Sequence, residues 1–399
     1  MGFQIGAPIQ SDNQFFGRKD DLQNLKKLID EYYKGVINHV ALIGLRRIGK
    51  SSLVKKIERV MQSKGLVVVY LDLEKVENNA AAFFTDLYET AVRQYVEAKG
   101  IADGRAFLEE AKLKLKQGKD TLISALKKTK LSITLAEIID IGVQIENEPP
   151  NWRKCGKQLF ALLERLSEEE KIVIMIDEFG LISKYTERIE LLEYLRGLLS
   201  ESKVPFILTG SHNIMRMVPE DRNFWSAVLL DYRLGFWKEE DVCEALQSRF
   251  KDEGYHGDFQ AIAVEVFKRT NGHPLHVNIL GMMLEELTDK KGANDNKEIT
   301  PDLVQIAYEE YICGKKYERQ GFGYYHDRLT REAKQVLRSI AINEPVDPAV
   351  LPRLLQMEKE VVQQCMQDLE YDFYLDREKD GCKMMDPLFR DWLRRKFGA

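Results

Sequence analysis

The stretch Gly44-Leu-Arg-Arg-Ile-Gly-Lys-Ser51 decides the fold of this chain. It follows a short apolar run, His39-Val-Ala-Leu-Ile43, and it precedes residues 51–61, whose apolar positions recur at helical spacing. A short apolar run bounded by polar residues is typical of a buried parallel strand. The pattern G-x-x-x-x-G-K-S between a strand and a helix is typical of a phosphate-binding loop, whereas a chance glycine-rich turn would lack this setting.

Each position of the loop has an expected role. Two glycines allow the backbone to turn with its N–H groups inward, so that the loop and the helix N-terminus hold phosphate oxygens. Lys50 is expected to reach the β- and γ-phosphates, and Ser51 to place its hydroxyl on Mg²⁺. The loop arginines are either solvated charges, or one of them lies near the γ-phosphate or bonds the N-terminal leader. The nucleotide-binding residues expected here are Gly44, Arg47, Ile48, Gly49, Lys50, Ser51 and Ser52.

A second apolar run ends in two carboxylates. Lys171-Ile-Val-Ile-Met-Ile is followed by Asp177 and Glu178, and a continuous apolar run is typical of a central strand covered on both faces. Ligands bind at the carboxyl ends of strands in open α/β sheets. We therefore expect the acidic pair on the strand neighbouring the loop strand, with Asp177 holding the Mg²⁺ shell and Glu178 polarising the attacking water.

A third strand, residues 205–209, ends in polar residues that could sense the γ-phosphate. Ser211 is the first candidate and is counted among the catalytic residues with Glu178 and Lys50, while Thr209 and Asn213 are weaker candidates. Serine and threonine are also common at strand ends for reasons of turn formation alone.

Composition indicates an ordinary globular protein. The 399 residues are 44% hydrophobic and 31% charged, and the net charge of −5 gives no overall attraction to nucleic acid. The five cysteines are dispersed without metal-ligand spacing, which is typical of reduced thiols in the cytoplasm. We find no signal peptide and no apolar run of about 18 residues, so neither secretion nor membrane insertion is expected.

Alternation of strands and helices predicts a parallel sheet flanked by helices. The expected nucleotide core covers residues 1–235, with strands at 39–43, 66–73, 172–176, 205–209 and 228–234. An insertion at about 80–150 interrupts it with two helices, at 81–98 and 105–128, and a hairpin at 131–145. The insertion is rich in lysine, either as a solvated face or as a contact for nucleic acid or an acidic partner.

Two further domains are expected after the core. Residues 236–318 are helical throughout and are expected to form a lid, and residues 315–328 are interpreted as a linker. Residues 329–399 combine three helices, a hairpin around Asp380-Gly381 and a last helix from Pro387, which is the winged-helix form of helix-turn-helix.

By these features the chain resembles the archaeal-type ATPase branch of the STAND class of P-loop NTPases, relatives of the AAA+ origin-recognition initiators. Phe15-Phe-Gly-Arg18 is similar to the leader that such proteins place against adenine, and the phosphate loop is similar to their G-x-R-R-x-G-K-[ST]. Gly272-His-Pro274 is similar to the G-x-P turn of their lid. Asp386-Pro-Leu-Phe-Arg-Asp-Trp392 is similar to the C-terminal end of their winged helix.

The resemblance implies further site residues. Phe16, Gly17 and Arg18 would bind the nucleotide from the leader, and His273 and Pro274 would approach it from the lid. Each has an ordinary alternative, since the two phenylalanines could be a hydrophobic staple for the next helix and the lid turn a plain interhelical turn. The resemblance implies a P-loop sheet of the AAA+-like type, with ATP or ADP and Mg²⁺ as cofactors.

One departure from the relatives matters for turnover. Many of them carry a Gly-Arg pair before the last strand, but Asn223-Phe-Trp-Ser-Ala-Val228 holds no arginine. An arginine finger raises turnover by about a thousandfold or more. Three arginines lie nearby, but no pattern marks any of them as an arginine finger: Arg216, Arg222 and Arg233. Slow hydrolysis is therefore expected.

Charge on the winged helix argues against DNA as its main partner. The helix expected to enter the major groove, residues 358–370, holds one lysine against four carboxylates, whereas DNA-reading helices need Arg or Lys. Residues 330–399 together hold 12 Lys and Arg against 13 Asp and Glu. A protein partner is favoured, and DNA stays open through the basic C-terminal helix or the insertion.

Three hypotheses about function follow. The first is a Mg²⁺-dependent, slow or partner-stimulated ATPase that acts as a switch, its ATP or ADP state repositioning the winged helix. The second is a DNA-associated AAA+-like ATPase, of initiator or transposition-regulator type, with salt-dependent binding to duplex DNA. The third is a nucleotide-binding scaffold without hydrolysis. All three leave open oligomerisation in the ATP-bound state.

Overall fold

The computed structural model of the chain describes residues 9, 15–36, 39–101, 103–117, 151–210, 214, 217–218, 224–291, 297–314, 322–378 and 381–398. The chain divides into two compact units. The sheet unit comprises Asp20–Ile43 and Lys50–Arg233, and the helical unit comprises Met1–Lys19, Gly44–Gly49 and Leu234–Ala399.

A five-stranded parallel sheet forms the centre of the sheet unit. All strand positions predicted from the apolar runs are confirmed to within one residue at each end. The strands are β1 (His39–Ile43), β2 (Val67–Asp72), β3 (Ile172–Asp177), β4 (Phe206–Gly210) and β5 (Leu229–Arg233). Every residue of β1, β3 and β4 is buried, as expected for strands covered on both faces, and β5 at the edge is the most exposed.

The order of strands across the sheet is β2-β3-β4-β1-β5. The expectation that the acidic pair lies on the strand next to the loop strand is therefore wrong, because β4 lies between β1 and β3. Strand adjacency depends on where each crossover helix returns the chain, and the apolar pattern of a buried strand carries no information about its neighbours.

Helices flank the sheet. The described helices of this unit are α1 (Lys19–Tyr32), α2 (Lys50–Gln62), α3 (Ala80–Ala98), α4 (Gly104–Gln117), α5 (Trp152–Glu169) and α6 (Arg188–Glu201). The first predicted helix of the insertion is confirmed as α3, which packs on β2 and α5 with Phe83, Phe84 and Leu87 fully buried. The hairpin predicted at 131–145 lies outside the described residues, as do the lysines from 119 onward.

The helical unit is built around one apolar core that runs from Trp237 to Leu393. Its first helices are α7 (Glu239–Asp252), α8 (Phe259–Thr270), α9 (Pro274–Lys291), α10 (Pro301–Cys313) and α11 (Phe322–Asp327). The C-terminal segment, residues 331–397, consists of α12 (Arg331–Asn343), α13 (Leu351–Leu355), α14 (Lys359–Tyr371), the antiparallel pair β6 (Leu375–Glu378) and β7 (Gly381–Met384), and α15 (Pro387–Phe397).

The interpretation of residues 315–328 as a linker is wrong for its second half, because α11 lies there. Phe322 is fully buried and stacks on Phe389 and Trp392, whose ring centroids lie 6.2 and 5.7 Å away. A six-residue helix is too short to display helical periodicity, and its stability comes from this aromatic packing. None of the helices in the described part of the chain has the length and apolar character needed to span a bilayer.

His39 joins β1 to its neighbours through both ring nitrogens. Nδ1 accepts from the N–H of Phe206 at 3.1 Å, and Nε2 lies 2.8 Å from the carbonyl oxygen of Leu199. A nitrogen that accepts carries no hydrogen, so the ring is neutral with its hydrogen on Nε2. Burial lowers the pKa of His39 to about 4, although the Leu199 carbonyl acts in the opposite direction.

This depressed pKa predicts a pH-dependent stability. Between pH 6.5 and 4 the unfolded chain binds a proton at His39 that the folded chain does not bind, so stability falls as the pH falls through that window. At pH 5 the loss from His39 is about 2 kcal/mol. We expect His39→Gln, whose amide can both accept from Phe206 and donate to Leu199, to unfold in urea with a smaller difference between pH 7 and pH 5. Equal differences in variant and wild type would contradict the assignment.

Candidate nucleotide site

The loop Gly44–Gly49 connects β1 to α2, and Lys50 and Ser51 are the first two residues of that helix. A helix N-terminus carries orphan N–H groups and a partial positive charge, both of which favour an anion. Arg47 and Gly49 have positive φ values of 64° and 100°, so the loop reverses direction tightly within three residues. The amine-bearing side chain of Lys50 is mostly buried, with 6% of the residue exposed.

Two carbonyl groups of this loop accept hydrogen bonds from distant parts of the chain. The hydroxyl of Tyr325 donates to the carbonyl oxygen of Arg46 at 2.9 Å, and Nη2 of Arg18 donates to that of Ile48 at 2.8 Å. In a trans peptide the N–H points away from the C=O. The N–H groups of Arg47 and Gly49 therefore point away from these donors.

Arg47 has a buried nitrogen without a hydrogen-bond acceptor among the described residues, namely Nη1. A buried charged donor without an acceptor costs more than about 1–3 kcal/mol, so such groups need an explanation. An anionic ligand at the loop would supply the missing acceptor. The residue types present, a lysine, an arginine and helix N–H groups, fit a phosphate.

The leader residues pack on the helical unit. Phe16 is partly buried against its core, and the guanidinium carbon of Arg249 lies 5.2 Å from the centre of the Phe16 ring. Arg18 is buried and, like Gly17 before it, has a positive φ. The alternative of a staple formed with α1 is not needed to explain the burial of Phe16. Contact of the leader with adenine stays a prediction.

The predicted lid turn, Gly272-His-Pro274, lies between α8 and α9. A Cβ at Gly272 would come within 2.0 Å of the carbonyl oxygen of Trp237, and its φ is 75°, so only glycine fits. Pro274 is the first residue of α9, where a missing N–H costs nothing. Burial, and then the neighbouring His276, lower the pKa of His273 to about 3, so its ring is neutral.

The acidic pair ends β3 in the sheet unit. The carboxylate of Asp177 is buried and accepts three hydrogen bonds: from the hydroxyl of Tyr70 at 2.9 Å, from the hydroxyl of Thr209, and from the N–H of Glu178 at 3.1 Å. Tyr70 comes from β2 and Thr209 from β4, the two strands beside β3. The sheet order thus explains why Thr209, considered above as a sensing residue, is close to Asp177.

Tyr70 was missed by sequence reasoning. It belongs to an apolar strand, and a tyrosine there is normally read as core packing. The Nζ atom of Lys55 lies 3.2 Å above the centre of its ring, and burial together with the charge of Asp177 raises its pKa. Tyr70 therefore stays a hydrogen-bond donor to the carboxylate.

Glu178 adopts a left-handed backbone conformation, with φ 54° and ψ 38°. This conformation costs a non-glycine residue about 1–3 kcal/mol, and such strain occurs often at functional sites. The residue is only partly buried. Ser211 and Asn213, the other candidates near this edge of the sheet, lie outside the described residues.

The donor set fits the expected metal. Ser51 at the start of α2 and Asp177 at the end of β3 offer a hydroxyl and a carboxylate, and oxygen ligands of this kind are those that Mg²⁺ prefers.

Residues 37–218 match the family of the AAA domain. No curated protein matches the sequence. The segment that matches the AAA domain contains the phosphate loop, the acidic pair and four of the five strands.

Solved structures with similar folds include the Walker-type ATPase PABY2304 of Pyrococcus abyssi, with a TM-score of 0.61 and 15% identity over 97% of this chain and 98% of that one. The ORC2 protein of Aeropyrum pernix is similar in its ADPNP-ADP complexes, with a TM-score of 0.51 and 14% identity over 97% of this chain and 98% of that one. At this identity the likeness concerns the fold, which is that of a P-loop, AAA+-type protein.

The hydrogen bond from Tyr70 to Asp177 gives a stability prediction. Bonds to charged groups contribute about 1.5–3 kcal/mol, and we expect Tyr70→Phe to lower the free energy of unfolding by that amount. Tyr185→Phe is the matched control, because its hydroxyl is buried without a partner among the described residues. Urea unfolding of both variants checks this, and equal losses would show that the Asp177 contact contributes nothing.

Proposed function

We propose that this protein binds ATP with Mg²⁺, hydrolyses it slowly, and works as a nucleotide-controlled switch. The observation that carries the proposal is the glycine loop between β1 and α2, with Lys50 and Ser51 as the first residues of the helix. Nη1 of Arg47, which finds no acceptor in the part of the chain that the structure describes, and the match to the AAA domain support it. The structurally similar ORC2 protein has been determined with ADPNP and ADP, which agrees with a nucleotide in this fold.

In this proposal each residue has one task. Lys50 and the loop N–H groups bind the phosphates, and Ser51 and Asp177 would hold Mg²⁺. When bound, the metal would neutralise charge on the phosphates. Glu178 orients and polarises the attacking water, and Ser211 stays the proposed sensing residue. The leader residues Phe16, Gly17 and Arg18 and the lid residues His273 and Pro274 are proposed to bind the nucleotide.

Slow turnover is proposed because the stretch before β5 holds no arginine. Arg233, a nearby candidate, bonds through Nε to Asp231 on the same strand at 3.1 Å. A slow hydrolase keeps its ATP-bound state for long periods, which suits a switch. A partner protein that supplies an arginine could accelerate it.

Ion pairs in the C-terminal segment favour a protein partner over DNA. Arg390 bonds Glu344 at 2.9 Å and Asp391 at 2.7 Å, and Arg395 bonds Glu309. Arg394 donates to the carbonyl oxygen of Ala341. These arginines of α15 are used within the chain, whereas DNA-binding helices direct such groups to phosphates. The DNA-associated alternative therefore depends on the lysine-rich insertion.

Removal of Lys50 tests nucleotide binding. Because Lys50 is the main compensating charge for the γ-phosphate, we expect Lys50→Ala to weaken Mg·ATP binding by about tenfold or more in calorimetry. Lys64→Ala is the control, since this exposed lysine lies just beyond the other end of α2. If both variants bind like the wild type, the loop is not a nucleotide site.

Replacement of Glu178 separates hydrolysis from binding. A positioned base contributes about 10²–10⁴-fold, so Glu178→Gln is expected to bind Mg·ATP normally and to release phosphate about a hundredfold more slowly or worse. Phosphate release is measured at saturating ATP. A wild type no faster than Glu178→Gln would instead favour the scaffold without hydrolysis.

A further inference from the structure

Tyr325 connects the phosphate loop to the C-terminal segment within the helical unit. It lies on α11 and is buried, and its hydroxyl meets the carbonyl oxygen of Arg46, a residue 279 positions earlier. We infer that Tyr325 is a positioning residue for the phosphate loop, through which the packing of the C-terminal segment sets the affinity for nucleotide. This inference rests on the proposed function and names the regulation of that same site.

The neighbours of the Tyr325 hydroxyl determine which group donates in each hydrogen bond. A carbonyl oxygen only accepts, so the Tyr325 proton lies on the Arg46 side. His273 accepts at Nδ1 from the N–H of Leu275 at 3.2 Å, so its own hydrogen is on Nε2, which lies 3.5 Å from the Tyr325 hydroxyl oxygen. Both neighbours therefore favour one orientation of the Tyr325 hydroxyl, in which it donates to the loop.

The orientation of the loop peptide depends on this donor. The C=O of Arg46 and the N–H of Arg47 belong to one planar unit and point in opposite directions. When Tyr325 holds the C=O, the N–H stays directed away from it, in a loop whose N–H groups are proposed to cradle phosphate. A free carbonyl would allow this peptide to rotate, and the cradle would lose part of its preorganisation.

Two routes lead from Tyr325 into the C-terminal segment. Its ring contacts Tyr374 and Phe389, with ring centroids 6.4 and 6.0 Å away. The ring of His273 lies 4.4 Å from that of His276, whose Nε2 lies 2.7 Å from Oδ2 of Asp386.

Asp386 is the N-cap of α15. It accepts from the N–H groups of Leu388 and Phe389 at 3.0 and 3.2 Å. A movement of α15 would therefore displace both the ring of Phe389 and the histidines beside Tyr325.

His273, His276 and Asp386 also have the spacing of a cation site. The hydrogen bonds explain the cluster without an ion. Nδ1 of His273 accepts from the N–H of Leu275 at 3.2 Å, and the ring nitrogens of His276 are used by Tyr311 at 2.8 Å and by Asp386 at 2.7 Å. The cluster is thus a structural connection between the lid turn and the C-terminal segment.

The first test removes one oxygen atom. Tyr325→Phe keeps the ring and loses the bond to Arg46, and we expect Mg·ADP and Mg·ATP to bind about threefold to tenfold more weakly in calorimetry. Tyr255→Phe is the matched control. It is a similarly buried tyrosine of the helical unit whose hydroxyl bonds Asp289 on α9 and neither the loop nor the C-terminal segment, and the variant should bind nucleotide within twofold of the wild type.

The second test measures coupling. Asp386→Asn keeps a good N-cap but changes the partner of His276. Its effect on Mg·ADP affinity should be at least twofold in the wild type and absent in Tyr325→Phe, because the connection is already broken there. In Tyr255→Phe, its effect should equal that in the wild type. Additive effects in the Tyr325 cycle would overturn the inference, since a merely structural role would give additivity.

A third measurement needs no variant. By linkage, nucleotide that binds the loop must stabilise what the loop is coupled to, so Mg·ADP should slow hydrogen exchange in residues 322–327 and 387–397. Unchanged exchange in both segments, with nucleotide bound, would overturn the inference while the proposed function stands. A wild type that gives no heat with either nucleotide would instead remove the proposed function itself.

Discussion

Two hydrogen bonds to backbone carbonyls hold the phosphate loop from outside, one from Tyr325 to Arg46 and one from Arg18 to Ile48. Each donor is far from the loop in sequence, and each orients a peptide whose N–H points the other way. These two bonds fix the orientation of the loop peptides from the carbonyl side, in a loop whose N–H groups are proposed to bind phosphate. The helical unit supplies both donors.

In the sheet unit, hydrogen bonds from neighbouring strands stabilise the buried carboxylate of Asp177. Asp177 is buried, which would be costly for an ionised group without hydrogen-bond donors. Because β2 and β4 flank β3, one hydroxyl reaches it from each side, and the next backbone N–H adds a third bond. Glu178 is the next residue along the chain, and its backbone is left-handed. The chain therefore changes direction between the two carboxylates.

The C-terminal segment has the order of elements expected of a winged helix. Its arginines on α15 pair with carboxylates or carbonyls of the same unit. In this arrangement the segment is tied to the lid turn, where His276 meets Asp386 and Asn271 donates to the carbonyl oxygen of Met385 at 2.9 Å. These contacts suit a part of the molecule that responds to nucleotide.

The sequence by itself determined the strands, the phosphate loop, the acidic pair at the end of β3 and most of the helices, because apolar periodicity and glycine spacing are local properties. The order of the strands, the partners of Asp177 and the helix at 322–327 were decided only by the tertiary structure. Tyr70 and Tyr325 look like ordinary aromatic residues in the sequence. Each is distinguished only by a hydroxyl that contacts one atom brought near by folding, and no local sequence pattern encodes such a contact.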